Sequence, residues 1–208
     1  MDLNSSPHQD RPFFYGYVII VACFLIQSIG VGTYIAFGVF FKPLLSEFGW
    51  SRATVSGASS VAYFLMGVLG VFSGFVNDRF GPRALMGVTA LFYCAGYVLL
   101  SQVEAVWHLY LFYGVVLAIG LSPIDVIPMT LTARWFVRRR GIMTGIVKVG
   151  TGAGQMTIPL IAGFLILHYG WRQAGIIIGL AALVILGGTG LFLRRDPAQM
   201  GQVPDGGG

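Results

Sequence analysis

The chain has 208 residues, of which 56% are hydrophobic and 10% are charged, and its formal net charge is +5 at pH 7. Soluble domains carry about 25% charged residues, so this chain has too few charges to cover a water-soluble globule. Its basic residues stand in short breaks between long apolar runs, a distribution that excludes a nucleic-acid-binding surface and favours a protein of the lipid bilayer.

The apolar runs predict six membrane-spanning helices, because a helix needs about 20 residues to cross the hydrocarbon core. Short loops join the runs, so consecutive helices are expected to be antiparallel. Residues 1–13 are predicted to form a cytoplasmic tail, 14–195 the helical bundle, and 196–208 a cytoplasmic linker towards a second half. The six predicted spans are residues 14–41, 52–76, 84–101, 107–133, 141–167 and 173–193.

The distribution of Lys and Arg predicts the orientation of the bundle. With the N-terminus in the cytoplasm, nine of the thirteen basic residues lie on the inner side, three on the outer side, and Lys148 within a span. Both termini are therefore predicted to be cytoplasmic. The inner residues are Arg11, Arg79, Arg83, Arg134, Arg138, Arg139, Arg140, Arg194 and Arg195, and the outer ones are Lys42, Arg52 and Arg172.

The first two predicted helices carry polar and small residues at helical spacing. In the first, Gln27, Gly30 and Tyr34 share a face and are expected to line a cavity, with Tyr34 as the favoured ligand contact. In the second, the shared face is interpreted as a sliding or packing surface. That face consists of Ser56, Ser60, Tyr63, Gly67, Gly70 and Gly74.

The fourth predicted helix places Asp125 between Pro123 and Pro128. Proline removes a backbone hydrogen bond and bends a helix. A bent, partly unwound segment beside an ionisable group is typical of transporter sites near the bilayer midplane. The alternative is that these prolines reflect only the frequency of proline in membrane helices.

The fifth predicted helix contains "VKVGTGAGQM", residues 147–156. Its glycines do not form a nucleotide-binding loop, because Lys148 precedes them and Gln155 stands where a dinucleotide fingerprint needs its third glycine. We interpret them as small-xxx-small packing pairs of a membrane helix. The two pairs are Gly141 with Gly145 and Gly150 with Gly154.

A polar stripe on the same helix consists of Thr144, Lys148, Thr151 and Gln155. Lys148 lies roughly 12 Å beyond Arg140 at 1.5 Å per residue. Asp125 lies nine residues before Arg134, at the other end of the same loop. Its depth is therefore similar, roughly 13 Å. We therefore predict that Asp125 and Lys148 face a polar cavity and pair with each other or with a substrate anion. The alternative is a pair that only holds the two helices together.

The segment "GFVNDRFGPR", residues 74–83, resembles the loop 2–3 signature of the major facilitator superfamily, G-x-x-x-D-R-x-G-R-[RK]. Pro82 stands where a basic residue is usual. The resemblance implies a gating motif, in which Asp78 pairs with Arg79 or Arg83, or binds a helix N-terminus of another half, and so locks one face closed. The matching residues are Gly74, Asp78, Arg79, Gly81 and Arg83.

The segment "WFVRRRGIMTGIVKVGTGAG", residues 135–154, resembles the helix 4–5 signature of the monocarboxylate-porter branch of that superfamily. The segments "FGWSR" and "RDPAQMG" are similar to bacterial members that include relatives of oxalate–formate antiporters. The resemblance implies an all-α membrane fold, the N-terminal half of a 3+3 inverted-repeat transporter, in a bacterial inner membrane. The matching residues are Phe136, Arg138, Arg139, Arg140, Gly145, Gly150 and Gly154.

The implied activity is secondary transport of small organic anions by alternating access, often with a proton. Members of the family have twelve spans in two halves, so this chain resembles one half. The expected partners are the lipid bilayer, a small carboxylate with or without H⁺, and a missing C-terminal half or a second copy. The alternative is a non-transporting fragment or a membrane interaction protein.

The sequence carries no enzyme motif. An intramembrane serine protease needs G-x-S-G and a membrane histidine, and the chain has no G-x-S-G, while His108 and His168 lie at span ends. Neither His-x-x-x-His nor Cys-x-x-Cys occurs, so a zinc site lacks its ligands. We expect no enzyme activity, no metal and no cofactor.

Overall fold

A computed structural model describes residues 14–205. The predicted tail of residues 1–13 and the last residues of the predicted linker, 206–208, lie outside the described residues. Within them the regular structure is helical, apart from one isolated bridge between Phe136 and Asp205, so the all-α class is confirmed. The five helices long and apolar enough to span a membrane are α1 (Gly16–Phe48), α2 (Arg52–Phe80), α3 (Pro82–Leu100), α4 (Val106–Trp135) and α5 (Arg140–Phe192).

α5 contains one non-helical residue, Gly170, with φ 77° and ψ 160°. A straight helix of its 53 residues would be about 80 Å long, far more than the ~30 Å hydrocarbon core. α5 therefore consists of two arms, residues 140–169 and 171–192, which meet at a kink. Glycine adopts a positive φ without the steric cost that a side chain brings. The predicted fifth and sixth spans coincide with the two arms.

The boundary between α1 and α2 is set by two capping residues. α1 continues beyond its predicted end to Phe48, and Gly49 closes it in a left-handed conformation, with φ 65° and its N–H donated to the Leu45 carbonyl at 3.0 Å. Ser51 begins α2 by accepting the Thr54 N–H at 3.1 Å. Lys42, predicted in the loop, is therefore within α1.

α4 is irregular in its first half, where Tyr110–Val116 form a π-helix. The predicted unwinding beside Asp125 is wrong, because Ser122 has helical dihedrals and Pro123–Trp135 are α-helical. Pro123 occupies the first turn of that segment, a position where a missing N–H is tolerated. Asp125 therefore projects from an α-helical segment.

Glycines bring α1 and the first arm of α5 into backbone contact. A Cβ on Gly154 would overlap the Ser28 carbonyl oxygen, and one on Gly150 would lie 2.5 Å from another α1 carbonyl. The packing predicted for this pair is confirmed. Gly141 and Gly145 do not pack among the described residues, since a Cβ at either would meet no described atom within 4 Å. Those two glycines lie on an open face of the helix.

The C-terminal segment packs on the end of the bundle that carries residues 79–83, 134–140 and 194–195, which we call the basic end. There the Asp205 carboxylate accepts the backbone N–H groups of Val137, Arg138 and Arg139 at 2.5, 3.2 and 3.1 Å. Such N–H groups before a helix N-terminus favour a negative charge. The carboxylate thus orders the basic loop between α4 and α5.

Replacing Asp205 with asparagine is expected to loosen this loop. Hydrogen bonds to a charged group contribute about 1.5–3 kcal/mol, so local opening should become roughly tenfold more frequent. Hydrogen exchange of the amides of residues 137–139 measures this change. Glu104→Gln, which removes an exposed carboxylate far from this loop, is the control. Unchanged exchange at residues 137–139 would contradict the assignment.

Candidate functional site

Asp125 on α4 and Lys148 on the first arm of α5 form an ion pair, with 2.6 Å between Lys148 Nζ and Asp125 Oδ1. The matching depths of the two residues predict this contact. Their side chains are 54% and 46% exposed, so the pair lies on an open face of the bundle and not in its core. An open face offers the pair to a substrate or to another polypeptide.

Gln27 on α1 is buried and joins the pair. Its Nε2 donates to Asp125 Oδ1 at 2.6 Å and to the Ile124 carbonyl at 3.4 Å, and its Oε1 accepts from Thr151 Oγ1 at 2.9 Å. Pro128 has no N–H for the Ile124 carbonyl four residues earlier, which leaves that oxygen to Gln27. The amide is therefore held at both ends, with its donor directed at the carboxylate.

The Asp125 carboxylate uses its two oxygens differently. Lys148 and Gln27 both donate to Oδ1, whereas Oδ2 accepts no hydrogen bond from residues 14–205. Asp125 also lines a cavity of about 260 Å³ between α1, α2 and α4. The carboxylate thus contacts the cation on α5 and also borders the cavity.

Tyr34 lines the same cavity, next to Tyr63 of α2, with 6.0 Å between the ring centroids. Its hydroxyl donates to the Ser59 carbonyl at 3.3 Å, so it is not directed at Asp125 in this structure. The structure therefore brings Gln27, Asp125, Lys148 and Thr151 into one network and places Tyr34 across the cavity from it. Tyr63 belongs to the stripe that the sequence marks on the second helix.

Tyrosines of neighbouring helices hold α1 at this height, a feature that the sequence did not indicate. Tyr93 donates its hydroxyl hydrogen to the Gly30 carbonyl at 2.7 Å, and Tyr113 donates to the Tyr34 carbonyl at 3.2 Å. Hydroxyl donors can bind carbonyls whose lone pairs are not all used by the helix. These two hydrogen bonds hold α1 against α3 and α4.

Gln155, the last member of the predicted stripe, is exposed, and no hydrogen bond among residues 14–205 joins it to the network. The glycines of the α2 stripe, predicted as a sliding or packing face, do not pack against other residues of 14–205. A Cβ on Gly67, Gly70 or Gly74 would meet no described atom within 4 Å. This face of α2 is open, and its glycines leave room at the cavity.

The loop 2–3 residues lie at the basic end, away from the ion pair. Arg79 and Arg83 were the expected partners of Asp78 within this chain, and this expectation is wrong. Asp78 binds Arg134 of α4 at 2.9 Å, and Arg134 also binds Asp196 at 3.0 Å. In the sequence, nothing distinguishes Arg134 from the other eight basic residues that indicate a cytoplasmic side. Its role as a bridge depends on the tertiary structure.

Other residues of the two signatures are also at this end. Gly81 separates α2 from α3 with φ 84°, and Arg83 donates to the Leu191 carbonyl. Phe136 is buried, whereas Arg138, Arg139 and Arg140 are exposed. Among residues 14–205, no cluster of three His, Cys, Asp or Glu side chains could hold a metal ion.

Comparison with known proteins places these features in a family. The profile of the Major Facilitator Superfamily matches residues 16–208. Monocarboxylate transporter 9 of Mus musculus is 29% identical over 206 residues, which cover 98% of this chain and 39% of that protein. Monocarboxylate transporter 14 of Mus musculus is 25% identical over 200 residues, which cover 96% and 39%. The chain therefore spans about two fifths of the length of these curated relatives.

Among solved structures, the fold is similar to that of a bacterial homolog of the human lysosomal transporter Spinster, in an inward-facing and unoccupied conformation. The TM-score is 0.72 at 16% identity, and the match covers 93% of this chain and 45% of that one. These relatives are transporters by name and not enzymes. With the family profile matching nearly its whole length, the chain is a multi-pass membrane protein that belongs to the Major Facilitator Superfamily and resembles its monocarboxylate transporters.

Proposed function

We propose that this chain is the N-terminal, six-helix half of a secondary transporter that moves small monocarboxylates by alternating access. The observation that carries the proposal is the Asp125–Lys148 pair on an open face of the bundle. A charge at the centre of a membrane helix costs about 2.5–3.5 kcal/mol on insertion scales, so such residues mark substrate and ion pathways. The names of the curated relatives support the monocarboxylate class.

Two further observations support the assignment as a half. The kink at Gly170 divides α5 into two arms, each long enough to cross the hydrocarbon core. The match covers 45% of the solved transporter. A C-terminal half, or a second copy of this chain, would then cover the open faces of α2 and of the first arm of α5.

Lys148 supplies the positive charge that a substrate carboxylate needs, and Asp125 occupies that charge in the substrate-free protein. A proton on Asp125 would remove the negative charge that competes with the substrate. Anion and proton would therefore bind together, and uptake would rise when the substrate side is made acidic. Gln27 would remain hydrogen-bonded to the Asp125 carboxyl group and Thr151 to Gln27, so both are positioning residues.

The contact of Asp78 and Asp196 with Arg134 would stabilise the closed state of the basic end during alternating access. The excess of basic residues at this end supports a cytoplasmic location for it and for both termini. The curated relatives named above come from an animal, so they do not support the expectation of a bacterial inner membrane.

Uptake of labelled lactate and acetate into proteoliposomes, with and without an imposed pH gradient, tests this function. Lys148→Gln is expected to lower saturable uptake at least about tenfold, because a charge-assisted contact with the substrate is lost. Lys42→Gln is the control, because it removes a cation near the C-terminal end of α1. It should leave uptake within about twofold of wild type, a change of under 1 kcal/mol.

A chain that is inactive alone is then tested together with a C-terminal half from a relative. The proposal would be contradicted by correctly inserted Lys148→Gln protein that transports as well as wild type. It would equally be contradicted by folded protein that shows no saturable uptake in either arrangement. The second result would favour the non-transporting membrane interaction protein.

A further inference from the structure

The cavity beside Asp125 has an apolar wall that the proposed exchange of anion and proton does not use. We propose that this wall, formed by Tyr63, Met66, Gly67 and Gly70 of α2, seats a ring-sized apolar group of the substrate. The inference rests on the proposed function and narrows the substrate class. The chain would accept aromatic monocarboxylates, and the α2 glycines would limit the size of the substrate ring.

The charges around the cavity favour one carboxylate over two. Among the described residues that line it, Asp125 is the charged one. Lys148 binds that carboxylate and is the one basic residue in the interior of a predicted span. A substrate whose carboxylate reaches Lys148 would place its remaining atoms next to Asp125 and the cavity. A second carboxylate there would meet a like charge and no cation from this chain.

Apart from Asp125 and Ser122, the cavity walls are apolar and aromatic. The rings of Tyr34 and Tyr63 are 6.0 Å apart at an interplanar angle of 35°, and Tyr34 stacks on Tyr113 at 14°. Met66 and Val31 complete this side. Aromatic pairs with offset or edge contacts are favourable at such separations, so a substrate ring could join the group.

The volume is sufficient for a ring. An apolar cavity of ~150 Å³ accepts benzene, and this cavity measures about 260 Å³, below the ~300–1,000 Å³ of pockets for drug-sized ligands. Gly67 and Gly70 keep it open, since a Cβ at either position would meet no described atom within 4 Å. Because both glycines line the cavity, we expect a larger side chain at either position to reduce its volume.

The test compares two acids of different size on one set of variants. Equilibrium binding of labelled benzoate and of labelled acetate is measured on the purified chain in nanodiscs. Gly70→Val is expected to weaken benzoate binding at least about tenfold, or 1.4 kcal/mol, and to change acetate binding less than about twofold. Gly70→Ala should give an intermediate loss for benzoate, and Gly67→Val should act like Gly70→Val.

Gly87→Val is the matched control, because Gly87 lies on the exposed face of α3 with no described atom within 4 Å of a Cβ. The inference would be overturned if Gly70→Val changed both acids equally, which would indicate a helix-packing surface, or changed neither. The proposed function fails separately, if wild type binds neither acid, alone or together with a C-terminal half from a relative, or if Lys148→Gln binds both normally. Succinate that binds as tightly as benzoate would also overturn the inference.

Discussion

Gly154→Val is expected to prevent α1 and the first arm of α5 from packing. A Cβ at this position would overlap the Ser28 carbonyl oxygen, and this obstacle is backbone that cannot rotate away. Overpacking typically costs about 1–3 kcal/mol where side chains adjust, so here we expect a loss of ~3 kcal/mol or more. Thermal unfolding would show this loss of stability as a lower midpoint. The yield of monodisperse protein in detergent would show it as a smaller folded fraction.

Gly152→Val is the matched control for this substitution. It introduces the same side chain two residues earlier, where a Cβ would meet no described atom within 4 Å. Its unfolding midpoint should remain near that of wild type, since the new side chain meets no packed neighbour. A Gly154→Val protein as stable as wild type would show that α1 and α5 do not meet as described. The effect would reach the site, because Gln27 and Thr151 bind each other across this interface.

Asp125→Asn is expected to destabilise the protein more than the double variant Asp125→Asn with Lys148→Gln. The single substitution leaves Lys148 without its carboxylate, and an unpaired charge at the centre of a membrane helix costs about 2.5–3.5 kcal/mol. The pair is about half exposed, so the loss should fall below that range. The double variant has no charge left to desolvate.

Unfolding midpoints of wild type, both single variants and the double variant form a thermodynamic cycle that measures the coupling. A coupling energy near zero would contradict the contact. Uptake separates the two interpretations of the pair. If it only holds α4 and α5 together, the double variant should regain uptake with its stability. If Lys148 binds the carboxylate, uptake should remain at least about tenfold lower while stability returns, a difference of 1.4 kcal/mol or more.

The membrane class and the helix positions followed from hydropathy, because the bilayer requires about 20 apolar residues in each span. The contact between Asp125 and Lys148 was one of two alternatives that their matching depths predicted, since a rise of 1.5 Å per residue converts chain position into height. Both arguments need only distances along one helix. Helix ends were less well predicted where a capping residue such as Gly49 decided them.

The partners of Gln27 and Asp78 did not follow from the sequence. Whether Gln27 meets Thr151 depends on the rotation of α1 against α5, which the contact at Gly154 sets. Asp78 had basic neighbours in its own loop, yet it binds Arg134 of a different helix. Lateral contacts of this kind depend on how the helices are arranged in the membrane plane, and hydropathy contains no information about that arrangement.

The sequence by itself determined that this chain spans a membrane, which residues carry charge into it, and at what depth. Those properties are fixed by the free energy of moving each segment from water into hydrocarbon. Only the tertiary structure decided that Gln27 holds Asp125 through an oxygen that also binds Lys148, and that α2 leaves a glycine-lined cavity open beside it. Helices in lipid gain no hydrophobic energy by meeting each other, so close packing of small residues and hydrogen bonds select their neighbours.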